Sequence, residues 1–412
     1  MEVKFARIEG RSTPFYLAMI LLAVLGLAGV FSTYLMHEHG IYLSGLTNRV
    51  PWGLQIVMAV FYIGLSAGSL VVSGLYGIFG KIEYKPFARM AAFLAMLFLI
   101  AGLLSIITDQ GRMDRLFVEP FSNFNLLSMF SINPGLYIGH IFICIIYLWA
   151  LFKEKGKLTK VASVTVVAWA ISVHTGTGAI FAFVPRELYN SPLLPLGFVA
   201  AALSSGAALM ILVIVTLFRC TRRPLDLGLI IWLGRLLAVF VVLAMYVILI
   251  ENLHRMYLIQ SREAGYYFLF GGFHSFLFWG GLIVVGSIIP ALLLFNRKTG
   301  TSLRWIVFSS VLVVIGVLCE RYLIVIPGQT FAPHLFPGME ITNSVLDEGI
   351  AVYSMNYLEV FQALGVFGII GIMFVLGIKI FAMVPTEARV HGESQMLKHL
   401  MPKLDQGAEL SK

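Results

Sequence analysis

Charge is what this chain most lacks. Of its 412 residues only 12% are Asp, Glu, Lys or Arg, while 59% are hydrophobic, and the mean hydropathy is +0.90. No soluble domain has an interior able to hide that much apolar surface. Cysteine is nearly absent too. Cys144, Cys220 and Cys319 stand far apart, with no C-x-x-C or C-x-x-C-H spacing, which argues against an iron–sulfur cluster, a c-type haem or a disulfide framework within this chain. Acidic residues are outnumbered, 21 against 29 basic ones, for a net charge of +8. A basic balance can mark a nucleic-acid partner, but the placement of the bases points elsewhere.

What fills the chain instead is ten long apolar runs, at about 14–36, 52–79, 86–107, 132–152, 160–183, 193–218, 228–250, 271–294, 303–326 and 357–383. Each reaches the ~20 residues a helix needs to cross ~30 Å of hydrocarbon. The fold class is an all-α membrane protein with about ten transmembrane helices. Nineteen of the bases fall on one alternate set of connections, among them the Lys153–Lys160 run, and six on the opposite set. Such asymmetry follows the positive-inside rule. It puts both termini, and a tail over 384–412, in the cytoplasm of a protein of the cell membrane, and it gives the basic charge a topological meaning that needs no nucleic acid. The first run follows a basic stretch, yet it is too long for a signal peptide and no small-residue cleavage site precedes His37, so it reads as a retained span.

The connections on the outer side are the longer ones, at about 37–51, 108–131, 184–192, 251–270 and 327–356. Long loops in a compact domain are usually functional, and these would form a cap that covers a site or docks a partner; packing over the helix ends is the blander reading. Residues 327–356 have no Lys or Arg and many Pro, Gly and aromatic residues, as a packed cover would. A weak internal repeat is also visible. Leu65–Gly68 matches Leu203–Gly206, Arg89 matches Arg235, Asp109 matches Glu251, and His140 matches His274, at offsets between 134 and 146. The expected organisation over 14–383 is therefore two parallel four-helix bundles plus two extra helices, divided as 14–152, 160–294 and 303–383. The small-residue stretches themselves suit close helix packing in lipid.

Ionisable groups inside spans are costly and tend to face a bundle interior or a water-filled cavity. Here they gather near the outer end: His37, His39, Asp109, Arg112, His140, His174, Glu251, His254, His274, Glu320, Arg321 and Glu359, with Arg235 the main exception. His140 lies about eight residues into its run, ~12 Å deep at 1.5 Å per residue, and His174 is at similar depth. Three readings fit. A quinol site needs an aromatic and aliphatic pocket with His or carboxylate groups to take two protons along with two electrons. A b-type haem needs two histidines on different helices, for which His140 and His174 qualify. A secondary transporter also uses parallel repeats, and unwound helix centres would favour it. Any single histidine could merely hydrogen-bond a neighbouring carbonyl, and Arg321 could be paired with Asp109, Glu251 or Glu359 to make burial tolerable.

Several stretches resemble one family. The run 51-PWGLQIVMAVFYIGLSAGSL-70 resembles the second-helix motif of NrfD/PsrC-type membrane subunits of respiratory oxidoreductases. The stretch 108-TDQGRMDR-115 is similar to that family's D-L-G-R-P-x-R element, with Gln110 and Met113 in place of Leu and Pro. The stretch 125-NLLSMFSINPGLYIGH-140 resembles S-M-F-S-W, with Ile132 in place of Trp. Residues 174–209 and 320-ERYLIVIPGQTF-331 resemble the hydrogenase-associated and sulfite-reductase-associated (HybB-like and DsrP-like) branches, and 353-YSMNYLEVFQALGVFG-368 is similar to a Y-x-P-x-x-x-E element. The resemblance implies a quinone-interacting anchor that binds no metal of its own and exchanges electrons between menaquinol or menaquinone and an extracytoplasmic ferredoxin-like iron–sulfur subunit. The DsrP-like branch would add a c-type cytochrome and a haem-b membrane subunit. The family's quinone pocket, between its first and fourth helices, maps to His37, Tyr137 and His140, with Asp109 as proton acceptor and Arg112 to orient it. Glu251, His174, Arg321 and Glu359 are left as a proton path or structural ion pairs.

Overall fold

The computed structural model describes residues 4–116, 118, 122–331 and 350–386. Ten helices are long and apolar enough to span a bilayer: α1 (Thr13–His39), α2 (Leu54–Gly77), α3 (Lys85–Asp109), α4 (Met129–Phe152), α5 (Gly156–Ala182), α6 (Leu194–Thr221), α7 (Leu227–Tyr257), α8 (Gly272–Phe295), α9 (Leu303–Val325) and α10 (Tyr357–Ile380). The protein is a multi-pass integral membrane protein. Each span closes its backbone hydrogen bonds within itself, the condition for lying in lipid. None of them has an unwound centre among the described residues. In α8 the winding widens to the π type over Leu277–Ile288 without breaking, so the feature that would favour a transporter is not seen.

Local chemistry sets the helix ends. Ser12 caps α1 by accepting from the Phe15 N–H, with Pro14 in the first turn. Asp226 caps α7, and Asn356 with Glu359 forms a reciprocal capping box on α10. The α7 helix runs about two turns beyond the end its apolar run suggests, because Asn252 donates to the Ile248 carbonyl and Arg255 pairs with Glu251. The first and last described segments meet on one face: Phe5–Ala6 pairs antiparallel with Val384–Pro385. Arg89 holds that strand pair down, its guanidinium 3.7 Å from the centre of the Phe5 ring and donating to the carbonyls of Ala382 and Leu151. The face with this strand pair is the terminal face and the opposite one the cap face.

The packing closes two rings of four helices. In the first, α2 packs on α3, α3 on α4, α4 on α5 and α5 back on α2; in the second, α6, α7, α8 and α9 do the same. The rings meet along α2–α6, α5–α6 and α2–α9, while α1 packs chiefly along α10, which leans on α3 and α2. The rings thus span 54–182 and 194–325, and the extra pair is the first and last helices. That differs from the division at 152 and 294 expected from the sequence. The reason is that α1 and α10 zip together through Gly29 and Gly365, whose backbones leave no room for a Cβ between them. This grouping agrees with the repeat matches, which pair the second to fourth runs with the sixth to eighth. Matched residues also touch: a Cβ on Gly68 would sit 2.6 Å from the Cα of Gly206. The two helices cross at these glycines.

On the cap face the connections lock to one another. The Gln329 side chain accepts from the Trp52 N–H at 2.8 Å and donates to the Trp52 carbonyl at 2.9 Å, joining the start of α2 to the end of α9. Tyr189 donates to the Val325 carbonyl and Ala351 N–H to that of Thr330. Most of the expected cover over 327–356 lies outside the described residues, but both of its ends are tied in.

Candidate functional site

Inside the first ring, α4 and α5 bring Tyr137, His140 and His174 together, all at most 4% exposed. Thr177 donates to the Val173 carbonyl at 2.7 Å, so the hydrogen bond it shares with Tyr137 at 3.0 Å comes from the tyrosine hydroxyl. The His174 Nδ1 lies 3.0 Å from the Ala170 carbonyl, which can only accept, so Nδ1 carries a proton. Among the described residues its Nε2 has no hydrogen-bond partner, and neither ring nitrogen of His140 has one. His140 and His174 lie close enough to interact electrostatically, and Arg321 of α9 also acts electrostatically on His174. Buried polar atoms are nearly always satisfied, and here several converge without partners from the described protein. Above them, Trp169 and Asn133 staple α4 to α5, donating to the carbonyls of Leu136 and Gly176.

An apolar groove of about 530 Å³ lies between α2, α5, α6 and α7 and reaches His174. Val71, Leu75, Ile171, Leu203, Leu236 and Phe240 are among its walls, and Lys81 stands at its terminal-face end. It is partly open. An aliphatic groove that ends on a titratable side chain has the character of ligand sites that hold a long apolar tail and read one polar head.

A second group of acids sits at the cap end of α3 and α10. Asp109, the last residue of α3, is half-buried and within electrostatic reach of Glu359. Glu359 is 2% exposed and accepts from the N–H groups of Gly45 (3.2 Å) and Asn356 (3.0 Å) and from the Tyr353 hydroxyl (2.8 Å). Tyr353 in turn accepts from the Leu54 N–H at 2.9 Å, and burial, then Glu359, pushes its phenol well above the usual tyrosine range. Arg112 is exposed just beyond the end of α3. His37 is exposed at the cap end of α1, on the helix that packs along α10, and so is not brought to Tyr137 and His140. The expected trio of His37, Tyr137 and His140 therefore divides: Tyr137 and His140 share the ring interior while His37 stands outside it on α1, and Asp109 joins Glu359 at the cap.

In the second ring, Glu251 accepts from Arg255 at 3.0 Å, and Arg255 also donates to Asn252 and to the Leu188 carbonyl. Arg255, which the sequence places in a loop, is thus the partner of Glu251. Arg321 is paired with none of Asp109, Glu251 or Glu359. Its nearest carboxylate is Glu320, 3.9 Å away, and its guanidinium lies 4.4 Å over the Phe198 ring. Neighbouring residues on one helix point apart, which leaves that pair stretched. Sequence reasoning passed over Tyr353, Arg255 and Gln55, whose side chain donates to the Glu359 carbonyl at 2.8 Å. The i, i+4 spacing of Glu251 and Arg255 was the available signal for Arg255.

Among the described residues no three His, Cys, Asp or Glu side chains converge as metal ligands. The fold and site define a multi-span membrane protein whose polar groups are buried inside two helix rings and gathered toward one face. The sequence pattern of the family described as "Polysulphide reductase, NrfD" matches residues 42–333, and the chain belongs to that family. It is 39% identical over 392 residues to an Hdr-like menaquinol oxidoreductase integral membrane subunit from Archaeoglobus fulgidus, covering 94% of this chain and 98% of the relative. A selenate reductase subunit from Mesobacillus selenatarsenatis is 29% identical, with 90% and 95% covered. A polysulfide reductase component from Wolinella succinogenes is 24% identical, with 69% and 96% covered.

Proposed function

We propose that this chain is the quinone-interacting membrane subunit of a respiratory electron-transfer complex, oxidising menaquinol or reducing menaquinone on the cap side of the bilayer. The observation that carries the reading is the convergence of His140, His174 and Tyr137, with three imidazole nitrogens unpartnered among the described residues, beside an apolar groove of about 530 Å³ that reaches His174. The residues fit such a ligand. Quinol hydroxyls are donors, and the free Nε2 of His174 and one nitrogen of His140 are acceptors. When a quinol is bound it supplies two electrons and two protons. The imidazoles hold the head group and take protons, the Tyr137–Thr177 bond fixes the ring beside them, and the groove excludes water from the tail. His37, exposed on α1, has no part in this pocket, and Asp109 is the carboxyl that passes protons to the cap face, with Arg112 beside it.

The cap face is the extracytoplasmic one in this reading, since the bases cluster at the opposite end, and an iron–sulfur subunit docks there to exchange the electrons. The relative from Archaeoglobus, a menaquinol oxidoreductase membrane subunit by name, supports menaquinol as the ligand. A fluorescent menaquinol-analogue inhibitor titrated into the purified chain tests the site. Saturable binding weakened at least about tenfold by His140→Ala is expected. Saturable binding untouched by His140→Ala and by His174→Ala would move the pocket elsewhere, and no binding to the folded chain would remove the function.

A further inference from the structure

The polar groups left over by that site form a continuous buried series. Beyond His140 and His174 the next ionisable group is Arg321, wholly buried, whose three side-chain nitrogens have no hydrogen-bond partner among the described residues. A guanidinium carries five N–H donors and stays charged, and an unpaired buried ion costs several kcal/mol. Phe198 covers one face, but a ring face satisfies no N–H in its plane. Water molecules are the partners that fit. Small residues face the guanidinium: a Cβ placed on Gly64 would be 3.9 Å from the Arg321 Nη2 and 4.0 Å from the Ser205 Oγ, ordinary contact distances. Beyond Arg321 comes Glu320 at 3.9 Å. Glu320 and Glu251 line one cavity of about 40 Å³ together with Asn252 and Arg255, roomy enough for water. Arg255 then reaches the Leu188 carbonyl in the cap-face connection between α5 and α6.

We propose that His140, His174, Glu320 and Glu251, bridged by water ordered around Arg321, form a second, lateral proton path from the first ring to the second, by which one of the two protons taken from quinol leaves through the second ring toward the cap face while the other leaves by Asp109. The inference rests on the quinone reading above. Arg321 transfers no proton itself; its fixed charge holds the Glu320 carboxylate in line and orients the bridging water. Each carrier is an imidazole or a carboxyl, groups that can bind and release protons near neutral pH when suitably placed. Their positions agree in depth: His140, His174, Glu251 and Glu320 all lie in the cap-side half of their helices, so the path crosses between rings without crossing the bilayer. Glu251 and Glu320 touch no part of the quinone pocket, which makes them separable from it.

The test is redox-induced infrared difference spectroscopy on the full chain loaded with menaquinone, in wild type, Glu320→Gln and Glu251→Gln, with inhibitor titration on each. The expected result is a protonated-carboxyl band that appears on cycling the quinone, shifts in deuterated water, and is lost or moved in Glu320→Gln while the inhibitor binds as in wild type. In the intact complex the same variant slows quinol oxidation at least about tenfold, the scale of a missing proton-transfer group. Glu251→Gln should alter the same band, and it keeps the test open if Glu320→Gln fails to fold. A wild-type band and wild-type turnover in both variants would overturn the path and leave the quinone site standing. A wild-type chain that neither binds the inhibitor nor gives a quinone signal would sink the quinone reading beneath it.

Discussion

Glu359 offers the sharpest quantitative test of how the cap end is built. Its carboxylate is almost wholly buried and both oxygens are engaged, Oε1 by the Tyr353 hydroxyl and Oε2 by the N–H groups of Gly45 and Asn356. These bonds join three distant segments: the loop after α1, the residues before α10 and, through Tyr353 and Leu54, the start of α2. A hydrogen bond to a charged group contributes about 1.5–3 kcal/mol, so the three together are worth roughly 4–9 kcal/mol gross. The cost of burying the carboxylate, several kcal/mol, offsets much of this. Glu359→Ala should then destabilise by about 2–4 kcal/mol. Tyr353→Phe removes one bond to Glu359 and strands the Leu54 N–H, a loss of about 1–3 kcal/mol. A double-mutant cycle in reversible detergent unfolding isolates the Tyr353–Glu359 bond. The expected coupling is about 1.5–3 kcal/mol, and additivity within about 0.5 kcal/mol would refute the geometry. The same saturation makes Glu359 a structural anchor: Glu359→Gln should keep quinol-dependent electron transfer, whereas Asp109→Asn should slow it without unfolding the helices.

Other expectations follow from the same contacts. Tyr353 and Tyr189, both in cap connections, have phenols raised above the usual range, by burial first in each case. A folded-state pKa above the unfolded value gives stability that is complete below about pH 10 and lost as pH rises beyond it, so alkaline unfolding should begin there and be shallower in Tyr353→Phe. Gly206→Val drives a side chain into the backbone of Gly68 and Ser69 and should cost at least about 2–3 kcal/mol, read as loss of the folded peak in size-exclusion chromatography after heating. Arg255→Met leaves Glu251 buried and unpaired and should cost about 3–5 kcal/mol, largely restored by adding Glu251→Gln, both measured by the same unfolding assay.

Much of the fold was legible because lipid simplifies the code. A span must be long, apolar and helical, so all ten runs could be found by length alone, and α2, α5 and α9 begin or end within a few residues of their apolar runs. Grouping was harder. Hydropathy is the same on every face of α1, and nothing in its composition says that Gly29 pairs with Gly365 on the last helix. The repeat offsets already tied the second run to the sixth, and taking them as the guide would have set α1 and α10 aside. The site was legible in kind but not in partnership. His140 and His174 were found from depth, since helical rise converts position to distance, and Tyr137 came only from the resemblance. His37 has the right chemistry at the right end of a helix that happens to lie outside the ring. Arg255 was missed because α7 continues past its last apolar residue, held by hydrogen bonds that hydropathy does not register.

The two rings share a build and differ in their buried chemistry, and the difference is where function enters. At the deep cap-side positions the first ring carries imidazoles, with an apolar groove leading to one of them, His174; the second carries carboxyls, with a small polar cavity. An imidazole is an acceptor without a permanent charge, so it can wait inside an apolar ring at modest cost. A carboxylate there needs a cation, and the second ring supplies Arg255 and Arg321. Arg321 stands where the rings meet and is satisfied by neither. A protein selected for stability alone would have replaced Arg321 and Glu320 together with uncharged residues, because exchanging a buried ion pair for well-packed neutral side chains is often stabilising. The double variant Arg321→Met with Glu320→Gln should therefore leave the folded chain at least as resistant to unfolding as wild type, while slowing quinol oxidation to the same degree as Glu320→Gln alone. A destabilised double variant with normal turnover would show instead that the guanidinium serves packing alone.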